Sequence, residues 1–265
     1  MKNLRVYGDP PYRIAVIHGG PGAPGEMAPV ARVLSAKSGI LEPLQTASSL
    51  EGQVLELGRV LEEHATCPVT LIGHSWGAIL GFILAARNPA LADKLIMVGA
   101  GVFEERFASA IPLVRLQRLN DDERASALLL MEDLAHGDEK QKNQAFAGLG
   151  ALFYKADCYD PLPGDNEVIE CNFLVFRQVW DEAEAMRKSG GLLAMAPRIR
   201  CPVVAIHGSY DPHPAQGVQV LAGRVPDFRF ILLDKCGHYP WVERYACREF
   251  YRLLRGLAGI PSNPR

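Results

Sequence analysis

Apolar residues along this chain gather into short unbroken runs separated by stretches with helical spacing. Five runs lack polar alternation and end in glycine or turn residues: Arg13–His18, Pro68–Gly73, Lys94–Gly99, Pro202–Gly208 and Arg229–Asp234. Strands buried on both faces of a parallel sheet produce that pattern. A sixth run, Gly39–Leu44, is weaker because Pro43 interrupts it. Between the runs, Met27, Val30, Ala31 and Leu34 form one helical stripe, and Leu50, Val54, Leu57 and Leu61 form another. Ser48 with Glu51 supplies a capping box to open the second helix. Residues Trp76–Arg87 are apolar almost all round, which predicts a helix buried under the sheet. Val242, Ala246, Phe250, Leu253 and Leu257 mark a last helix. Strand alternating with helix predicts an α/β fold, a mostly parallel sheet with helices on both faces.

The alternation stops near Gly101 and resumes near Pro197. The interval is rich in helix formers, over Asp121–His136, Gln141–Gly148 and Val168–Lys188, with a break at Asp160–Asp165. A strandless interval of that length reads as a helical insertion rather than a loop. The expected organisation is a core domain of residues 1–100 and 198–265, with a helical lid over 101–197 across the strand ends.

Composition narrows the partners. The net charge of −2 and the lack of any Lys/Arg cluster give no electrostatic case for nucleic acid or an acidic membrane surface. No apolar stretch is long enough to span a bilayer, and Met1–Arg5 precede no signal-like apolar run. The six cysteines are Cys67, Cys158, Cys171, Cys201, Cys236 and Cys247, none at metal-ligand spacing. They fit reduced thiols in a cytoplasm. The expected partner is a small-molecule or short-peptide substrate.

The chemistry concentrates at strand ends. Gly73-His74-Ser75-Trp76-Gly77 follows a strand and opens a helix, the setting in which G-x-S-x-G makes a nucleophile elbow. Composition alone yields about 0.1 such patterns in a chain like this, so the setting carries much of the argument. A serine needs a base. His238, just beyond the Arg229–Asp234 run, is the candidate, and Asp211, after the preceding run, is the carboxylate to orient it. The order Ser75, Asp211, His238 is the order this elbow calls for. Asp234 and Glu104 are rival carboxylates; His207 and His213 read as strand-end and loop residues, and His74 as a neighbour of the nucleophile that does not act on substrate. His64 and His136 fall on helices and read as surface residues. Oxyanion donors are expected from the Trp76 N–H and from the loop His18-Gly19-Gly20-Pro21-Gly22, at Gly20. That loop matches neither glycine pattern of a phosphate cradle.

These motifs, with His207-Gly208-Ser209-Tyr210-Asp211 and Gly237-His238, resemble the α/β-hydrolase superfamily over about residues 13–100 and 200–255. Within it, His18-Gly-Gly-Pro-Gly22 is similar to the proline iminopeptidase branch. The resemblance implies Ser75 as nucleophile, Asp211 and His238 as its partners, Gly20 and Trp76 as oxyanion donors, and neither metal nor organic cofactor. It also implies an acidic lid residue that holds a substrate amine. Glu170, in Ile169-Glu170-Cys171-Asn172-Phe173, matches that pattern; the alternative is a solvated helix glutamate. Two departures are visible. Glu42–Ser49 lacks the branch's D-x-R-G-x-G-x-S loop, and the 17 residues before His18 leave little room for the usual first two strands.

The expected activity is cleavage of an ester or amide through an acyl-Ser75 intermediate, with an N-terminal prolyl aminopeptidase as one form. A carboxylesterase or carbon–carbon bond hydrolase is the nearest alternative, and a non-catalytic binding scaffold the alternative of another class. Trp180, Tyr154, Phe173 and Phe176 are candidates to line a substrate pocket or to fill the lid's own core.

Overall fold

Each run that lacks polar alternation forms a strand of one sheet in the computed structural model, which describes residues 3–164 and 167–261. Met1 and Lys2 of the N-terminal reading, and Asp165 of the expected break, lie outside the described residues. The strands are β1 (Leu4–Tyr7), β2 (Tyr12–Ile17), β3 (Gly39–Pro43), β4 (Val69–His74), β5 (Ala92–Val98), β6 (Val203–Gly208) and β7 (Phe228–Leu233). Their order across the sheet is β1-β3-β2-β4-β5-β6-β7. Only β1 runs antiparallel, pairing Leu4 with Pro43 and Tyr7 with Ile40.

One expectation is met at this edge and one is corrected. The short N-terminal arm holds a single strand, β1, and not two, ahead of the strand that leads into His18. Pro43 does not interrupt β3 but ends it, where the missing N–H costs least; the next residue, Leu44, donates its N–H to Asn3 O at 2.8 Å.

The core helices are α1 (Ala28–Ser35), α2 (Leu50–His64), α3 (Trp76–Arg87), the single turn α9 (Gln216–Gln219) and α10 (Cys247–Leu257). Those on one face, α2 and α3, bury Leu57, Leu61, Phe82 and Ile83 against Leu71 and Leu95 of the sheet. On the other, α1 and α10 bury Val30, Leu34, Phe250 and Leu254 against Val16, Ile72 and Ile206. At roughly 1.5–3 kcal/mol per large apolar side chain, these two layers are the main favourable term. The α2 cap shifts by one residue from expectation: Ser49, not Ser48, accepts from Gly52 N at 3.0 Å. The last helix starts at Cys247, because Val242 and Ala246 belong to the turns before it.

Between β5 and β6 come α4 (Ile111–Gln117), α5 (Asp121–His136), α6 (Glu139–Asp157), α7 (Phe173–Lys188) and α8 (Gly191–Ala194), with no sheet strand among the described residues. Full capping boxes open two of them, Asn120 with Glu123 on α5 and Asp138 with Gln141 on α6. Helix α6 runs well past the expected Gly148. Helix α7 starts at Phe173 rather than Val168, because residues 168–172 lie against the glycine loop. There Ile169 N donates to Pro24 O at 2.9 Å and Asn172 N to Gly22 O at 2.7 Å.

Candidate active site

Ser75 stands between β4 and α3 with φ 49° and ψ −112°, a conformation that costs a non-glycine residue roughly 1–3 kcal/mol. The backbone hydrogen bond from Ser75 N to Val98 O, at 2.9 Å, holds it there. The flanking glycines are required by clearance. A Cβ on Gly73 would sit 2.2 Å from Gly77 O, and one on Gly77 would sit 2.4 Å from Ile17 O. The turn is therefore as tight as the motif predicts, and α3 starts directly behind the serine.

Strand ends bring the other two expected residues together. His238 Nδ1 lies 2.7 Å from Asp211 Oδ2. Among the described residues, neither the Ser75 hydroxyl nor His238 Nε2 has a hydrogen-bond partner, and both residues line one cavity of about 1420 Å³. Contacts of this kind commonly close only when substrate binds. Gly99, at φ 50°, packs under the pair; a Cβ there would meet His238 O at 2.8 Å.

Asp211 holds more than His238. Its Oδ1 accepts from His213 N at 2.9 Å and faces His213 Nδ1 at 2.8 Å. His207 Nε2 lies 3.7 Å from Oδ2 and donates to His213 O at 2.8 Å. Burial alone pushes the Asp211 carboxyl up, but the imidazoles of His238, His207 and His213 outweigh it and hold it well below the usual range. Burial also lowers His213 to about 4, against the opposing pull of Asp211. His213 is thus a second neutral donor to the carboxylate, stacked 4.6 Å from the His238 ring, and not the plain loop residue expected from sequence. The donor atoms of Asp211, His213 and His238 lie within 4.8 Å of one another, as metal ligands would. Both carboxylate oxygens of Asp211 are taken up here, Oδ1 by His213 Nδ1 and Oδ2 by His238 Nδ1, and a carboxylate bonded to Nδ1 fixes the tautomer that leaves Nε2 of each ring as the acceptor.

The rival residues take other roles. Asp234 accepts from Ser209 Oγ at 3.4 Å, and Glu104 pairs with Arg106 at 2.5 Å. His64 and His136 end α2 and α5 with exposed side chains.

Gly20 and Trp76 both line the cavity beside Ser75. Trp76 opens α3, where a helix leaves its first N–H groups unpaired. Gly20 has φ 41°, a left-handed conformation suited to glycine. His18 anchors the loop: its Nδ1 lies 2.6 Å from Gly19 O and its Nε2 accepts from Gln45 N at 3.2 Å. Burial lowers its pKa, which suits this neutral donor–acceptor state.

Helices between β5 and β6 supply the rest of the wall. Tyr154, Phe176 and Trp180 face the cavity, with Phe176 and Trp180 stacked 5.9 Å apart. Phe173 does not line it and packs on Phe146 instead. Glu170 lies at the cavity wall on the segment before α7, and its side chain is exposed; it is solvated, as the alternative reading has it, though not on a helix.

Several residues escaped sequence reasoning. Glu26 lines the cavity and pairs with His74. Arg115 forks onto buried Asp157, with contacts of 2.6–3.1 Å, and Glu105 pairs with Arg187 at 2.9 Å. Buried Glu243 accepts from Gly237 N, Tyr159 N and Asp160 N at 2.7–2.9 Å. It thereby ties the end of α6 to the His238 loop, where His238 N also donates to Asp157 O at 2.8 Å. Only Glu26, four residues past the glycine loop, left a usable signal in its spacing.

A family profile described as the alpha/beta hydrolase family matches residues 14–251. Solved structures extend that likeness at low identity. The structure of VinJ superposes with a TM-score of 0.65 at 20% identity, covering 97% of this chain and 95% of that one. Proline iminopeptidase from Mycobacterium smegmatis gives 0.61 at 16%, covering 97% and 93%. The meta-cleavage product hydrolase CumD from Pseudomonas fluorescens gives 0.66 at 17%, covering 97% and 93%. A search of curated protein sequences returns no significant match. No helix among the described residues is long and apolar enough to cross a membrane.

Proposed function

This chain belongs to the alpha/beta hydrolase family, and from that premise we propose that it is a serine hydrolase of small-molecule esters or amides. The observation that carries the proposal is the strained Ser75 elbow opening into the same cavity as a His238 paired with Asp211. His238 Nε2 takes the Ser75 proton as Oγ attacks the substrate carbonyl. The N–H groups of Gly20 and Trp76 receive the oxyanion, and Asp211 stabilises the imidazolium. The same proton passes to the leaving group, and water then hydrolyses the acyl-Ser75 by the reverse relay. The helices between β5 and β6 act as a cap that supplies the substrate wall.

A fluorophosphonate probe tests this directly. It should label Ser75 in the wild type and nothing in Ser75→Ala; no labelling of the wild type would favour a binding scaffold. Glu170 on the cavity wall supports a narrower form, an aminopeptidase acting on a free α-amine. Prolyl-naphthylamide should then turn over much faster than its N-acetylated form, and Glu170→Ala should raise KM about tenfold or more. Equal rates on the two substrates leave the carboxylesterase or carbon–carbon hydrolase form standing.

A further inference from the structure

Two groups beside Ser75, the buried His74 and the Glu26 at the cavity wall, have no part in acyl transfer as described. Glu26 Oε1 accepts from Gly19 N at 2.6 Å and is hydrogen-bonded to His74 Nδ1. His74 Nε2 lies 3.0 Å from His238 O. The contacts run from the oxyanion loop, through the residue before Ser75, to the backbone of the catalytic histidine.

Their geometry fixes a proton count. A carbonyl oxygen only accepts, so His74 Nε2 carries a proton. Nδ1 and the carboxylate also face each other, and two lone pairs make no hydrogen bond without a second proton between them. The pair thus holds one proton more than an imidazole plus a carboxylate, and its net charge is zero whichever atom that proton favours. Burial pushes the Glu26 carboxyl up, but His74 and the Gly19 N–H outweigh it and hold it below the ordinary range.

Zero charge matters at this place. A single point, where a Cβ on Gly19 would stand, lies 2.6 Å from Glu26 Oε1 and 3.0 Å from Ser75 Cβ. The carboxylate is therefore within about 6 Å of the nucleophile's Cβ, and a bare negative charge there would oppose the developing oxyanion.

We propose that Glu26 and His74 form a net-neutral clamp, two positioning residues that hold the oxyanion loop and the His238 loop in register without a negative charge beside the oxyanion. The proposal rests on the serine-hydrolase reading. A double-mutant cycle tests it, with kcat on a p-nitrophenyl ester counted per fluorophosphonate-labelled site so that unfolded protein drops out. His74→Gln leaves the Glu26 charge unbalanced and should lower kcat about 100-fold with KM within about threefold. Glu26→Gln should cost less than about tenfold, and adding it to His74→Gln should recover about tenfold or more of the loss. A double variant as slow as His74→Gln, or slower, overturns the clamp. His74→Asn with and without Glu26→Gln repeats the cycle if the first pair folds poorly. An unlabelled wild type overturns the serine-hydrolase reading itself, and the clamp with it.

Discussion

The sheet edge around Ser75 and the helices between β5 and β6 share one cavity but are built under different constraints. At the sheet edge, backbone clearance decides. Cβ atoms on Gly73, Gly77, Gly208 or Gly237 would all stand within 2.4 Å of a backbone oxygen, and α3 is buried along nearly its whole length. In the helical segment, α5 buries only Ala127 and leaves Leu128 and Leu129 more than half exposed. Its own core is the small cluster of Leu119, Ala127, Leu149 and Ala156. The groups proposed to react are thus held by backbone geometry that tolerates no substitution, and the proposed substrate wall by side chains that can change without unmaking the fold. A site of this kind can keep its chemistry while its specificity varies.

The largest effect should follow from the reacting atom itself. Ser75→Ala should reduce kcat by about 10³-fold or more while the protein stays folded, since no hydrogen bond among the described residues depends on that hydroxyl. Removing cavity aromatics such as Trp180 should change KM among substrates far more than kcat. If Trp180→Ala and Ser75→Ala depressed kcat alike, the division between the two regions would fail.

The same division explains what the sequence revealed. That Ser75, Asp211 and His238 would meet at one sheet edge could be read because strand ends announce themselves by apolar runs that stop at glycine, and because chain order orders those ends. Asp157 and Glu243 could not, since Asp157 meets the Arg115 side chain and Glu243 the N–H groups of Tyr159 and Asp160, partners far along the chain that only folding brings near; Glu26 left only its nearness to the glycine loop. The start of α7 was misread for a related reason. The Val168–Lys188 stretch is rich in helix formers, but Ile169 N and Asn172 N bond to the glycine loop, and tertiary hydrogen bonds override a local pattern. Strand β1 was overlooked because four residues on a sheet edge carry too little periodicity to register.

Stability should show the contrast next. Gly77→Ala drives a Cβ against Ile17 O and His18 O at 2.4–2.5 Å, where neither backbone can yield. It should destabilise the protein by about 3 kcal/mol or more, measured by urea unfolding. Glu243→Ala, at the seam between the regions, strips the acceptor from three N–H groups, at Gly237, Tyr159 and Asp160. A loss of about 3 kcal/mol is expected, with Glu243→Gln milder because one acceptor oxygen remains. A loss below about 1 kcal/mol would mean that the helical segment and the His238 loop are not joined through this carboxylate.

Acid should act on the sheet edge before the helices. His213 titrates at about 4 in the folded protein against about 6.5 when unfolded. Between those values the unfolded chain binds more protons, so stability falls as pH drops through that window, by an amount on the order of 3 kcal/mol. Asp211, held well below its usual value, adds its own loss only below about pH 4. Melting temperatures at pH 7 and pH 5 measure the first effect, and His213→Gln should flatten the difference. An undiminished slope in that variant would assign the acid sensitivity to another group.

The smallest effect should have the opposite sign. Gly150 lies inside α6, and a Cβ there would meet nothing within 4 Å. Gly150→Ala lowers the backbone entropy of the unfolded chain without adding a clash, so it should stabilise by about 0.5–1 kcal/mol. Gly77→Ala is the same chemical change with an expected cost several times larger, and the two differ only in what surrounds the added methyl. Because Gly150 also lines the cavity, the variant should shift KM for bulky acyl substrates slightly and leave kcat unchanged. If Gly150→Ala instead destabilised the protein by more than about 1 kcal/mol, α6 would be packed as tightly as the elbow, and the contrast between a fixed chemical edge and a permissive wall would not hold.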